Sequence, residues 1–195
     1  MLQLCLKAFA VVLFVAVVAP AAGAGMEATE EMRLEAVEYA RKYVEEEAAF
    51  LLGGRFTVDE YLEAVDAGLE PGEEVGVDAS AVVRNAYRSV NPDIRFLAWA
   101  DGPPQQDVTS SALYHYNSRP LDQDEAQPGD LLFFENGNGR IIGVGLITDM
   151  TYNSVHFITA SASAGQVIET HLLFAGDYFQ ESVAGFGRLT YTIRP

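Results

Sequence analysis

Apolar and polar residues recur along this chain with two different periods, and the change of period divides it. Between residues 29 and 52, Met32, Val37, Ala40, Val44, Ala48 and Leu51 recur every three to five positions, the spacing of one helical face. Thr29 can cap this helix, Glu30 and Glu31 suit its positive end, and Gly53-Gly54 is expected to terminate it. Thr57-Val58-Asp59-Glu60 has capping-box spacing and opens a short second helix to about Val65. Residues 68–76, with Pro71, three glycines and three glutamates, read as loop. Asp78 then caps a third helix to about Val90, striped by Val82, Val83, Ala86 and Tyr87 and stopped by Asn91-Pro92. Residues 100–128 are polar and proline-containing, with one short helix near residues 110–116.

From Leu131 onward the period shortens. Residues 131–134 are continuously apolar, and Asn136-Gly137-Asn138-Gly139 is a strong hairpin turn. Strands are expected over residues 141–148, 154–161, 166–170 and 187–193. Helices first and an antiparallel sheet afterwards make an α+β fold.

The first 24 residues differ from everything that follows. Lys7 is their only charge, residues 8–19 are an unbroken apolar run, and Ala22-Gly23-Ala24 has the small residues of a processing site. This is the layout of a secretory signal over residues 1–24, leaving residues 25–195 as a single domain. The alternative is an uncleaved N-terminal anchor, although twelve apolar residues fall short of the roughly 20 that span a bilayer. Membrane association is expected only in that case. Cys5, the one cysteine, lies inside this segment, so residues 25–195 can form neither disulfides nor thiolate metal sites. Thiol catalysis there is excluded as well.

Charge narrows the partners. Asp and Glu number 28 against 12 Lys and Arg, a net charge of −16, which repels nucleic acid and anionic membrane surfaces. The acidic runs at residues 45–47 and 70–74 read as a solvated surface. No loop has the alternating spacing of a calcium site, and no His-x-His or His-x-x-x-His pair suggests zinc. No cofactor and no metal are expected.

The chemistry-bearing pattern is Gly76-Val77-Asp78-Ala79-Ser80-Ala81-Val82-Val83, followed about fifty residues later by Gln127-Pro128-Gly129-Asp130-Leu131-Leu132-Phe133-Phe134. These resemble the G-[FIV]-D-C-S-G-L-V and P-G-D-L-V-F-F motifs of the NlpC/P60 cell-wall cysteine peptidases. The resemblance covers roughly residues 50–193 and implies a papain-like fold, with N-terminal helices packed on a C-terminal antiparallel sheet. It also implies three catalytic positions, each of them altered. Ala79 stands where the family has a cysteine, whose thiolate a helix amino end would stabilise. Gly143, in Gly143-Val144-Gly145-Leu146-Ile147, stands where the H-V-G-I-Y strand has its histidine base. Thr159, in Phe157-Ile158-Thr159-Ala160-Ser161, replaces the polar residue that orients that base. Phe50-Leu51-Leu52-Gly53-Gly54 resembles the Y-x-W-G-G segment without its tyrosine hydroxyl.

Neither neighbouring polar group restores the chemistry. Ser80 is one residue along the helix, about a hundred degrees from the nucleophile direction, and reads as amino-end polarity. His156 is an odd number of residues from Thr159 and belongs to the opposite sheet face. His115 and His171 stand in unrelated segments. The resemblance thus implies an exported, catalytically inactive domain with a cleft at Asp78, Ala79, Ser80, Gly143 and Thr159. Such a cleft would bind a peptidoglycan peptide or an envelope protein, in a secreted or periplasmic setting. The alternatives are an interaction protein using another surface, or a hydrolase with relocated residues. Residues 83–88, 116–120, 126–134 and 185–189 also resemble the uncharacterised YfaT-like family of exported bacterial proteins in the same superfamily.

Overall fold

The computed structural model describes residues 25–194, so the leader expected over residues 1–24 lies outside the described residues. Helix α1, Glu30–Glu45, starts where the sequence puts it, with Thr29 Oγ1 accepting the Met32 N–H at 3.3 Å. It ends well before Gly53-Gly54, which corrects the expected boundary. Glu47 takes a left-handed φ of 48° and the chain then runs extended. The cause is tertiary: Val167 donates to the Ala48 carbonyl at 2.8 Å, and Phe50 donates to that of Gly165 at 2.8 Å. Backbone partners on another segment outweigh the helical spacing of Ala48 and Leu51.

The other helices follow the sequence closely. Helix α2, Val58–Asp66, has both halves of its capping box: Glu60 N–H to Thr57 Oγ1 at 3.3 Å and Thr57 N–H to Glu60 Oε2 at 2.8 Å. Helix α3, Ala79–Val90, is capped by Asp78, whose Oδ1 accepts the Ala81 N–H at 2.8 Å. Helix α4, Ser110–Tyr116, is capped by Thr109.

The sheet comprises β1 (Met26–Glu27), β2 (Ile94–Arg95), β3 (Ser118–Leu121), β4 (Leu131–Glu135), β5 (Ile141–Met150), β6 (Ser154–Ser161), β7 (Gln166–Leu173) and β8 (Val183–Ile193). Their order is β1-β8-β4-β5-β6-β7, with β2 and β3 also paired to β8, and every pairing is antiparallel. Strands β1, β2 and β3 are too short for a periodic signal and escape the sequence reading. So does α5, Asp177–Ser182. The α+β architecture of helices on an antiparallel sheet stands.

Alternation along the strands separates two cores. Leu131, Phe133, Val144, Leu146 and Ile158 meet Val82, Val83, Ala86 and Tyr87 of α3 and Ala36, Ala40 and Tyr43 of α1. Leu132, Phe134, Ile147, Val155, Phe157 and Phe186 face the other way, with Phe179 of α5 packed on them. Full burial of each such side chain contributes about 1.5–3 kcal/mol.

Between the helices and β4 sits a buried charge. Asp130 is 0% exposed and accepts Arg188 Nε and Nη2 at 2.9 and 2.8 Å and the Gln127 N–H at 2.9 Å. Arg33 of α1 approaches it at 3.8 Å. Gly129, at φ 85°, leads into it; a Cβ there would collide with Arg33.

Candidate functional site

The amino end of α3 is fixed by a close approach of two backbones. Val77 donates to the Ala49 carbonyl at 3.0 Å, Leu51 to that of Val77 at 3.1 Å, and Asp78 to that of Gly54 at 3.0 Å. The strip works because neither facing glycine has a side chain. A Cβ at Gly54 would collide with the Gly76 carbonyl, and one at Gly76 would lie 2.7 Å from that of Ala49. The glycines of both motifs are therefore what seat the helix start against its loop.

Ala79 is the first residue of α3, partly exposed and packed on the helix-side core, whereas residues 80–87 are buried. Ser80 is 5% exposed, and its hydroxyl donates to Asp78 Oδ1 at 2.7 Å, the same oxygen that caps Ala81. Ser80 thus completes the cap. One turn further, Arg84 is 3% exposed and reaches Asp107 at 2.8 Å; Asp107 also holds the exposed Arg55 at 2.5 Å. Burial pulls the Arg84 guanidinium below its ordinary range, with Asp107 and then Asp78 opposing that shift. Its Nε is buried without a partner among the described residues.

Gly143 lies in β5 directly opposite Phe134 of β4. A Cβ there would sit 3.6 Å from the Phe134 ring, an ordinary contact, so the position has room for a side chain. Thr159, in β6, donates its hydroxyl to the Val144 carbonyl at 2.9 Å. Regular β5–β6 pairing begins at Leu146↔Ile158, so beyond it this side-chain bond ties the two strands. Helix α3 packs on both β5 and β6.

The five expected cleft residues are only partly gathered. Asp78, Ala79 and Ser80 form one turn. Gly143 and Thr159 share the sheet face of Phe134 and Phe157, while Ala79 packs against the core of the opposite face. Two cavities of the described surface lie elsewhere. One of about 170 Å³ is lined by Gly25, Leu97, Tyr116, Asn117, Thr190, Tyr191 and Thr192, and an open one by Arg55, Phe56, Glu60, Glu63 and Ala64. None of the five residues lines either cavity.

The histidines are arranged differently from the expectation that His171 stands in an unrelated segment. His156 and His171 face one another across β6 and β7, their rings stacked with centroids 5.2 Å apart. The signal was present in the short turn between these strands, which fixes their register. His156 does occupy the parity of Ile158 rather than that of Thr159. Asp107 and the Asp130–Arg188 pair were also unread, because their partners are 23 to 58 residues away in sequence. No group of three or more His, Cys, Asp or Glu residues is assembled for a metal among the described residues.

Comparison with known proteins fits this architecture. The family model described as "NlpC/P60 family" matches residues 53–188. Two solved structures align with the chain. "The crystal structure of Ly7917" does so at a TM-score of 0.52 and 11% identity, over 82% of this chain and 62% of that one. "The crystal structure of Ly7917 with the hydrolyzing product of MDP" has a TM-score of 0.48 at the same identity and coverage. At this identity the likeness is one of fold, and this chain spans less than two thirds of the length of its structural neighbour. No curated protein matches the sequence significantly. With the motif glycines, the capped helix α3 and strands β2 to β7 inside the matched span, the chain belongs to the NlpC/P60 family.

Proposed function

We propose that this is an exported NlpC/P60 domain that has lost hydrolysis and retains binding, its ligand a cell-wall peptide or an envelope protein. The observation that carries the reading is the methyl group of Ala79 at the first position of α3. A helix amino end favours a thiolate, and a methyl group offers it no charge to stabilise. Gly143 supplies no base, and the Thr159 hydroxyl is spent on the Val144 carbonyl. Ser80 is committed to Asp78, so it is not held ready as a substitute nucleophile.

Recognition of an extended peptide rests on backbone hydrogen bonds and side-chain pockets, and both are separable from bond cleavage. Two exposed apolar residues flank the altered positions. Leu52, 84% exposed, belongs to the loop seated on Val77 and Asp78, and Ile142, 62% exposed, adjoins Gly143. Both offer apolar contact to a bound chain. Export rests on the sequence of residues 1–24. No helix among the described residues is long and apolar enough to cross a membrane.

The test is equilibrium binding of stem peptides and insoluble peptidoglycan to the purified protein, with muropeptide release followed in parallel. Saturable binding without release is expected. Turnover abolished by a serine-directed or chelating inhibitor would replace this reading with relocated catalysis, and absence of any saturable binding would remove the peptide-binding part.

A further inference from the structure

We propose that His156 and His171 form a two-imidazole site for a divalent transition-metal ion, with copper(II) held most tightly. The pairing of β6 with β7 runs without interruption from Ser154↔Leu173 to Ser161↔Gln166, which sets the two histidines directly opposite. Val167 turns its N–H outward to the Ala48 carbonyl, so residue 171, four positions along the same strand, also directs its backbone away from β6. The histidine pair is therefore of the close, non-hydrogen-bonded kind, in which facing Cα atoms are about 4.5 Å apart. The rings respond by stacking, with 23° between their planes.

The surroundings are polar. Asp149 of β5 is the register partner of His156 on its other side and adds negative charge to the neighbourhood without joining the two rings as a third ligand. Thr148 is the extra residue of the β5 bulge beside it. Its hydroxyl is buried and has no partner among the described residues. Ser154 Oγ lies 3.3 Å from His156 Nε2 and leaves Nδ1 as the ring nitrogen for metal. Histidine ligands commonly have such a hydrogen bond on the second nitrogen, which fixes the ring. His171 is exposed and His156 half-buried, so an ion has access from solvent. The net charge of −16 raises the local concentration of cations. Imidazole nitrogen selects copper, nickel and zinc over magnesium and calcium, and the divalent series peaks at copper.

The experiment uses the tag-free full-length chain with Cys5→Ser, which removes a thiol that would itself bind copper. Copper(II) chloride and zinc chloride are titrated calorimetrically, and copper(II) electron paramagnetic resonance counts the coordinated nitrogens. The expected result is one saturable copper site per chain with two nitrogen couplings. His156→Ala and His171→Ala should each weaken it about tenfold or more, at least the loss that a supporting residue of a metal site causes. His115→Ala on α4 should leave it unchanged. Metal-free thermal unfolding of each variant confirms that the fold survives. Wild-type copper affinity in the His156→Ala/His171→Ala double variant, or a wild-type spectrum with a single nitrogen, would overturn the site.

Discussion

Replacing Asp130 by asparagine tests how the helices are locked to β4. The carboxylate is fully buried and accepts both prongs of Arg188 together with the Gln127 N–H. Asparagine keeps the volume and one carbonyl oxygen, which can still accept from Gln127. Its amide nitrogen then faces Arg188 Nε, donor against donor, and Arg33 at 5% exposure loses its counter-charge. Removing one partner of a buried ion pair costs about 3–5 kcal/mol. Arg188 is itself 17% exposed and can recover some hydration, which places the expected loss near the lower figure, about 3 kcal/mol. For a domain of this size that lowers Tm by about 6–12 °C. Urea unfolding followed by the fluorescence of Trp99, the one tryptophan, measures it directly. A loss below about 1 kcal/mol would show that the pair is no stronger than a surface one and would refute the reasoning.

Four further outcomes are expected. Ala79→Cys alone should give no muropeptide hydrolysis by chromatography, because Gly143 still provides no base; turnover from that single change would mean the base lies elsewhere. Ala79→Trp should abolish ligand binding if the α3 amino end forms the groove, at a stability cost of about 1–3 kcal/mol; unchanged binding would point to another surface. Thr159→Val should cost about 1 kcal/mol through loss of the bond to Val144, read as a shift in the urea midpoint. The fourth is alkaline destabilisation: burial raises the Tyr87 and Tyr43 phenols far above their ordinary value of 10.0. Because the folded values are raised, this stability is complete below pH 10 and is lost above it, by about 1.4 kcal/mol per pH unit for each phenol. Urea unfolding between pH 8 and 11 checks this, and Tyr87→Phe should flatten the slope.

What the sequence revealed was local. The capping residues Thr29, Thr57 and Asp78 announce the starts of three helices because their hydrogen bonds close within three residues. β6 was read with its final bounds, since it is flanked by turn residues. Long-range effects defeated the rest. The end of α1 depends on β-type bonds to residues 165 and 167, and its own periodicity gives no warning of them. At the site, the motif positions fixed which residues occupy the start of α3, β5 and β6. Their grouping depends on strand faces and a bulge at Phe134/Glu135, which spacing alone does not disclose. The His156–His171 contact was within reach, because the hairpin turn over residues 162–165 dictates it.

The order of the sheet has a consequence for assembly. Strand β8 follows β1, β2, β3 and β4 in the chain, yet all four take it as a neighbour. Until β8 is in place, those four segments lack this shared neighbour, and the β4–β7 meander stands with one margin open. A chain lacking β8 would therefore expose unpaired strand edges, which are prone to aggregation.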